Sequence, residues 1–262
     1  MASASGKADF KPALVIVDLQ EDFCPPVRLS PTSISSIKIT SAAANSSYIP
    51  PAREPHSGAL AVQDGRAIVS TVNHLLSLPF ALKIATKDFH PPDHISFASN
   101  HVAPDNVPFT STITIANPLN PSETQTTRLW PVHCVQGTPG AELIPELARD
   151  AVTHVVEKGQ DKRVEMYSAF YDPFRNPTVA KSGLAELLRG AGVTDVFVVG
   201  LAMDYCVKHT ALDAAKEGFR TLVVSEGTKA VDPAHWGEAQ KEMEEAGVRL
   251  VSVDGEEVKK VG

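Results

Sequence analysis

Residues 194–225 read TDVFVVGLAMDYCVKHTALDAAKEGFRTLVVS, and the fold is decided there. Thr194 to Val199 is a short run rich in β-branched and aromatic residues, apolar enough for a strand buried on both faces. Asp204 to Glu217 has the length of a helix and stops at Gly218, a residue favoured just past a helix end. Thr221 to Ser225 is a second strand. Strand, helix and strand in so short a span make a βαβ unit, whose strands lie parallel in one sheet.

The same alternation extends in both directions. Residues 13–19 (ALVIVDL), Phe80 to Thr86 (FALKIAT), Val152 to Glu157 and Arg249 to Val253 read as further strands. Asp64 to Leu76 is a helix with Ile68, Val69, Val72, Leu75 and Leu76 on one face and Asp64 placed to cap it. Lys181 to Arg189, stopped at Gly190, and Asp232 to Ala246, stopped at Gly247, are two more. The fold class is therefore α/β: one domain over residues 11–253, with a mainly parallel sheet and helices on both faces. Two tracts break the pattern. Residues 27–57 hold ten Ser or Thr and read as a surface insertion, either a plain disordered insert or a flap. Residues 88–140 hold eight of the 20 prolines and read as a long loop with a functional role.

Composition narrows the function. With 24 Lys and Arg against 31 Asp and Glu, the formal charge is −7. No basic cluster offers a surface to nucleic acid or to an anionic membrane. The longest apolar stretch, Val196 to Met203, is far short of the ~18 residues of a membrane span. Neither a secretory h-region in MASASGKADF nor a peroxisomal tripeptide in VKKVG is present, so a cytoplasmic location is expected. Three cysteines, Cys24, Cys134 and Cys206, are too few for a disulfide scaffold and suit a reducing compartment.

In open parallel sheets ligands bind beyond the carboxyl ends of the strands. The residues there are Asp18 and Phe23, Lys87 to His94, Lys158, and Leu201 to Cys206. If Asp204 caps its helix, Cys206 sits in the first turn, where free N–H groups and the helix dipole would lower a thiol pKa. Cys206 then reads as a nucleophile, or else as a small buried hydrophobe. Asp18 reads as a general base or as a turn cap, and Lys158 as its partner or as a solvated strand-end lysine. Asp88, His90 and His94 come from one short loop and His133 from another. Asp and His without Cys suit a catalytic or substrate-binding Zn²⁺, Fe²⁺ or Mn²⁺, or are simply loop residues.

Taken together, the segments ALVIVDLQEDFC, TKDFHPPDHISFASNH, LWPVHCVQGTPGAEL, VVEKGQD and GLAMDYCVKHTALDA resemble the nicotinamidases, within the isochorismatase-like cysteine hydrolases. The resemblance runs from residue 11 to about 253, apart from the 27–57 tract. The family's Gly-Ser-Leu stands here as Gly58-Ala59-Leu60, later than usual, and the local lid geometry departs with it.

The resemblance implies an amidohydrolase that converts nicotinamide to nicotinate and ammonia through a cysteine thioester, in NAD salvage. It makes Asp18 the base, Lys158 its electrostatic partner and Cys206 the nucleophile. The N–H groups of Ala202 and Cys206 would form an oxyanion hole, with a cis peptide between Leu201 and Ala202. Asp88, His90 and His133 would bind a divalent metal, zinc first with iron or manganese as alternatives, and His94 would ligate directly or through water. Phe23, Trp130 and Tyr167 would clamp the pyridine ring. The partners implied are nicotinamide and pyrazinamide-like analogues, with no nucleic acid and no membrane; a homo-oligomer is left open. Relatives acting on carbamoyl or ureido compounds would need neither Trp130 nor the metal set. A catalytically silent relative would have lost Asp18, Lys158 or Cys206. An isochorismatase-type vinyl-ether hydrolase would lack the thiol.

Overall fold

The computed structural model describes residues 10–26 and 58–262, so the 27–57 tract lies outside the described residues. In chain order the strands are β1 (Pro12–Val17), β2 (Leu82–Asp88), β3 (Thr112–Asn117), β4 (Asn120–Arg128), β5 (His154–Lys158), β6 (Asp195–Leu201), β7 (Arg220–Lys229) and β8 (Arg249–Val251). The helices are α1 (Val69–Ser77), α2 (Leu184–Gly190), α3 (Lys208–Lys216), α4 (Trp236–Glu245) and α5 (Glu256–Lys259). Six strands form one sheet in the order β5-β2-β1-β6-β7-β8, every pair parallel. This is the α/β architecture expected.

Strand β1 shows why its sequence is apolar throughout. Ala13, Val15 and Val17 point into one core with Leu184 and Leu188 of α2, Ala211 and Ala214 of α3, and Met243 of α4. Leu14 and Ile16 point into the other, with Val72, Leu75 and Leu76 of α1 and Val258 of α5. Alternate side chains leave opposite faces of a strand, so a strand covered on both sides has no polar phase.

Several boundaries differ from the sequence reading. Strands β2 and β5 run on to Asp88 and Lys158, because the backbone ladder continues beneath polar side chains that hydrophobic pattern does not register, and β6 runs on through Gly200 to Leu201, which pair with Thr228 and Lys229 of β7. Asp64 does not cap: it has φ 56, makes no cap bond, and leads through a 3-10 turn, Gly65–Ile68, into α1. Gly218 and Gly247 stand in the left-handed region past α3 and α4, but Gly190 is still helical and the turn falls at Gly192. The β3–β4 hairpin lies inside the tract read as loop. Strand β4 has no aliphatic side chain other than Pro121 and is mostly exposed, and the alternation of β3 covers only Thr112-Ile113-Thr114-Ile115. Ile115 anchors it against Val164 and Phe174. Among the described residues no helix is long and apolar enough to cross a membrane.

Ile16 is fully buried in β1, whereas Val155 of β5 is 53% exposed. Ile16→Ala should therefore cost about 2–5 kcal/mol in urea denaturation, while Val155→Ala should change stability by less than about 0.5 kcal/mol. Equal losses would contradict the two-faced core.

Candidate active site

The strand order β5-β2-β1-β6 sets four chemical side chains in one row at the carboxyl edge. Lys158 ends β5 and is the register partner of Asp88, which ends β2. Asp18 follows β1 directly, at φ 47. After β6, a cis peptide joins Leu201 to Ala202, and the chain enters a π-helical turn, Met203–Val207, that carries Cys206.

Lys158 is the hub. Its Nζ lies 2.5 Å from Asp88 Oδ1, 3.0 Å from Asp18 Oδ2, 3.2 Å from the Met166 carbonyl and 3.6 Å from Cys206 Sγ. Burial would strip its proton, but the two carboxylates outweigh burial and hold its pKa well above the ordinary lysine value. Asp18 also accepts a 2.6 Å bond from the Thr86 hydroxyl. Burial raises its pKa to about 6, against the pull of Lys158. Asp88 goes the other way: Lys158 and then His90 overcome burial and keep it well below the usual carboxylate range. Asp18, Asp88 and Cys206 bring one ligand atom each within 4.8 Å of one another.

The thiol differs from expectation. Asp204 does not cap the turn; its two oxygens accept the N–H groups of Val231 and Asp232, beyond β7. Burial pushes the Cys206 pKa well up, with Lys158 opposing, so the resting group is a thiol rather than a preformed thiolate. The helix-terminus argument assumed an exposed turn, and Cys206 is only 5% exposed.

The second cluster is built on the other carboxylate oxygen. Asp88 Oδ2 lies 3.6 Å from His90 Nε2 and 4.0 Å from His133 Nε2. Each imidazole is oriented from behind: His90 Nδ1 donates to the Gly159 carbonyl and His133 Nδ1 to the Pro131 carbonyl, both at 2.8 Å. In the neutral rings that leaves both Nε2 lone pairs free to ligate, with the backbone support typical of metal-ligating histidine. Gly159 makes the arrangement feasible, since a Cβ there would lie 2.4 Å from His90 Cε1. One ligand atom from each of Asp88, His90 and His133 lies within 4.8 Å of the others, as a metal ion requires. His94 stands behind, its ring 4.1 Å from that of His90 and its Nδ1 bonded to Ser96, while its buried Nε2 has no hydrogen-bond partner within 3.5 Å among the described residues. The sequence kept the metal residues and the thiol apart; Asp88 belongs to both.

A narrow cavity opens over these groups, lined by Phe23, Trp130 and Tyr167 with Ala202, Cys206, Asp88 and His133. Trp130 Nε1 donates to Tyr167 Oη at 3.0 Å, and Phe23 packs 5.5 Å from the His133 ring. Leu60, Glu165, Tyr205 and Val231 complete the wall. Of these, Leu60 and Tyr205 lie in segments the sequence singled out, and Glu165 and Val231 do not. His209, to which the sequence reading assigned no site role, stacks on Tyr167 at 5.4 Å and 20°. Gln20 was also missed. Its side chain accepts the Asp88 N–H and donates to the Asp88 carbonyl, both at 2.8 Å, a pairing that depends on three-dimensional register.

The isochorismatase domain model matches residues 96–255, and the chain belongs to the isochorismatase family. Within that family its similarity is to nicotinamidases. It is 34% identical to the nicotinamidase of Schizosaccharomyces pombe over 245 residues, 93% of this chain and 94% of the relative. The yeast nicotinamidase structure, bound to the inhibitor nicotinaldehyde, superposes with a TM-score of 0.74 at 29% identity, covering 92% of this chain and 99% of that one. A pyrazinamidase of Pyrococcus horikoshii in complex with zinc gives 0.60 at 31% identity, with the same coverage of 92% and 99%.

Lys158 neutralises two buried carboxylates, so its loss should be felt in the fold. Lys158→Met should destabilise by about 3–5 kcal/mol in chemical denaturation, and Asp18→Asn added to it should recover part of that loss. A stability unchanged by Lys158→Met would contradict the buried triad.

Proposed function

We propose that this chain hydrolyses nicotinamide to nicotinate and ammonia, as an amidohydrolase of NAD salvage, with Cys206 as nucleophile. The observation that carries the reading is that the Asp18–Lys158–Cys206 cluster and the Asp88–His90–His133 cluster face one aromatic-walled cavity. Similarity to nicotinamidases over nearly the whole chain supports the substrate.

A carboxamide is a weak electrophile with a poor leaving group, and covalent attack divides its hydrolysis into two easier steps. Because the resting group is a thiol, a base is needed at the moment of attack. Asp18 takes the Sγ proton as sulfur bonds to the carboxamide carbon. The N–H groups of Ala202 and Cys206 hold the oxygen as it gains charge. Asp18 returns the proton to the departing nitrogen, the C–N bond breaks, and ammonia leaves a nicotinoyl thioester. Asp18 then takes a proton from water as the water attacks the thioester, and the thiol is restored with release of nicotinate. Lys158 keeps its proton throughout and offsets the charge on Asp18 and on sulfur. Phe23, Trp130 and Tyr167 hold the ring and exclude water.

Asp88, His90 and His133 would hold a divalent ion, zinc before iron or manganese, with the free Nε2 of His94 as a further donor. When bound, the ion supplies a Lewis-acidic anchor for the pyridine nitrogen, and so fixes the carboxamide relative to Cys206.

The direct test is ammonia release from nicotinamide by the purified protein. Release only from a ureido compound would overturn the substrate. Cys206→Ala should abolish turnover and leave the fold intact; turnover within about tenfold of wild type would contradict covalent catalysis. Among the three cysteines, iodoacetamide should modify Cys206 first, because Cys24 and Cys134 are fully buried while Cys206 lines the cavity. Peptide mass mapping reads the order.

The pH dependence follows from Asp18. Above its pKa of about 6 it is a carboxylate and accepts the thiol proton; below, it is a carboxylic acid and cannot. The acid limb of kcat/KM should therefore fall as pH drops through that range. Benzamide, which has no ring nitrogen, should bind more weakly than nicotinamide, and His90→Ala should remove that preference. Equal binding of the two amides to wild type would contradict the anchoring role.

A further inference from the structure

Asp22 is a buried carboxylate outside the catalytic trio and the imidazole set, and it makes no ion pair among the described residues. It lies in a 3-10 turn, Glu21–Phe23, just beyond β1. Its Oδ2 accepts the Cys134 N–H at 2.7 Å and its Oδ1 the Ala59 N–H at 3.3 Å, while its own carbonyl accepts the Leu60 N–H at 2.9 Å. One residue thus grips two segments that both line the cavity: the loop carrying His133, and the loop carrying Leu60.

The grip on Cys134 matters because of the backbone there. Cys134 has φ 47, an uncommon left-handed conformation for a residue with a side chain. It immediately follows His133, so the direction of the imidazole depends on that turn being held. The carbonyl of the same residue is also engaged: it accepts the His90 N–H at 3.0 Å. The segment bearing His133 is therefore pinned between Asp22 and the segment bearing His90. Room for the carboxylate is made by Gly140, where a Cβ would lie 2.1 Å from Asp22 Oδ2 and 2.5 Å from Oδ1. A methyl group at that position would have to expel the carboxylate.

We propose that Asp22 is a positioning residue: its carboxylate holds the left-handed turn at Cys134 and aims His133 at Asp88 and His90, while its Oδ1 and its own carbonyl tie down Ala59 and Leu60 at the cavity wall. Its metal-binding consequence rests on the function proposed above. Removing the carboxylate leaves a buried N–H without an acceptor, and the turn relaxes to satisfy it. Asp22 touches none of Asp18, Lys158 and Cys206, so the nucleophile should be spared.

The test compares wild type with Asp22→Ala, Asp22→Asn and Gly140→Ala. The readouts are zinc affinity by chelator competition, KM and kcat for nicotinamide, the rate of Cys206 alkylation, and thermal stability. Asp22→Ala should weaken zinc binding by about tenfold or more, as losing the support of a metal ligand does, and should raise KM more than it lowers kcat. Cys206 alkylation should keep its wild-type rate. Asp22→Asn, which keeps the shape and one acceptor, should recover part of the loss. Gly140→Ala should reproduce the loss with the carboxylate still present, and it serves if Asp22→Ala fails to fold. Lowered stability with wild-type zinc affinity and KM would overturn the proposal. If wild type binds no zinc, the metal reading falls, and crystal structures of the variants decide the rest: His133 displaced supports the role of Asp22, and His133 in place overturns it.

Discussion

One ammonium between two buried carboxylates holds this site together. Lys158, Asp18 and Asp88 are each nearly or fully buried, and none of their charges is tolerable there alone. The row of strand ends brings them together, so the sheet does more than display the residues. Its register fixes which carboxylate the ammonium meets first. Asp88 faces Lys158 across the β2–β5 ladder, and Asp18 approaches from β1 on the other side.

The arrangement divides two carboxyl groups into two roles. Both feel the same lysine and the same burial, yet Asp88 is held strongly anionic while Asp18 is raised to about 6. The difference lies in their further neighbours. Asp88 has His90 and His133 beside its second oxygen, whereas Asp18 has the Thr86 hydroxyl, the Cys206 thiol and the negative charge of Asp88. A carboxylate that stays charged suits a cation site, and one that titrates near neutrality suits proton transfer to and from sulfur. Asp88 thereby joins the positioning half of the site to the chemical half through one side chain.

Much of this was legible in the sequence, for identifiable reasons. A parallel sheet covered on both faces needs unbroken apolar runs, so β1 and β6 announce themselves, and Asp18 and the Cys206 turn fall at their ends by topology, as Lys158 does at the end of β5. What was not legible depends on register and burial. The pairing of Asp88 with Lys158 requires knowing that β2 and β5 are neighbours. The rise in the Cys206 pKa requires knowing that its turn is closed over; a strand-to-helix turn read from sequence carries no burial. Asp204 looked like a cap by position, yet it reaches past its own helix to Val231 and Asp232. The β3–β4 hairpin escaped because strands held mainly by backbone bonds and Thr pairs, such as Thr114 with Thr126, leave little hydrophobic trace. Gln20 and Asp22 follow Asp18 within one short segment, and each reaches a different loop. That division of labour is visible only once the loops are in place.

The central claim is that hydrolysis passes through a thioester on Cys206. The most direct measurement is mass analysis of wild-type protein acid-quenched during turnover of excess nicotinamide, followed by peptide mapping. The account predicts a nicotinoyl adduct on the peptide that carries Cys206 and on no other. An adduct on Cys24, Cys134 or a non-thiol residue would contradict it, as would ammonia accumulating at every quench time with all three thiols unmodified.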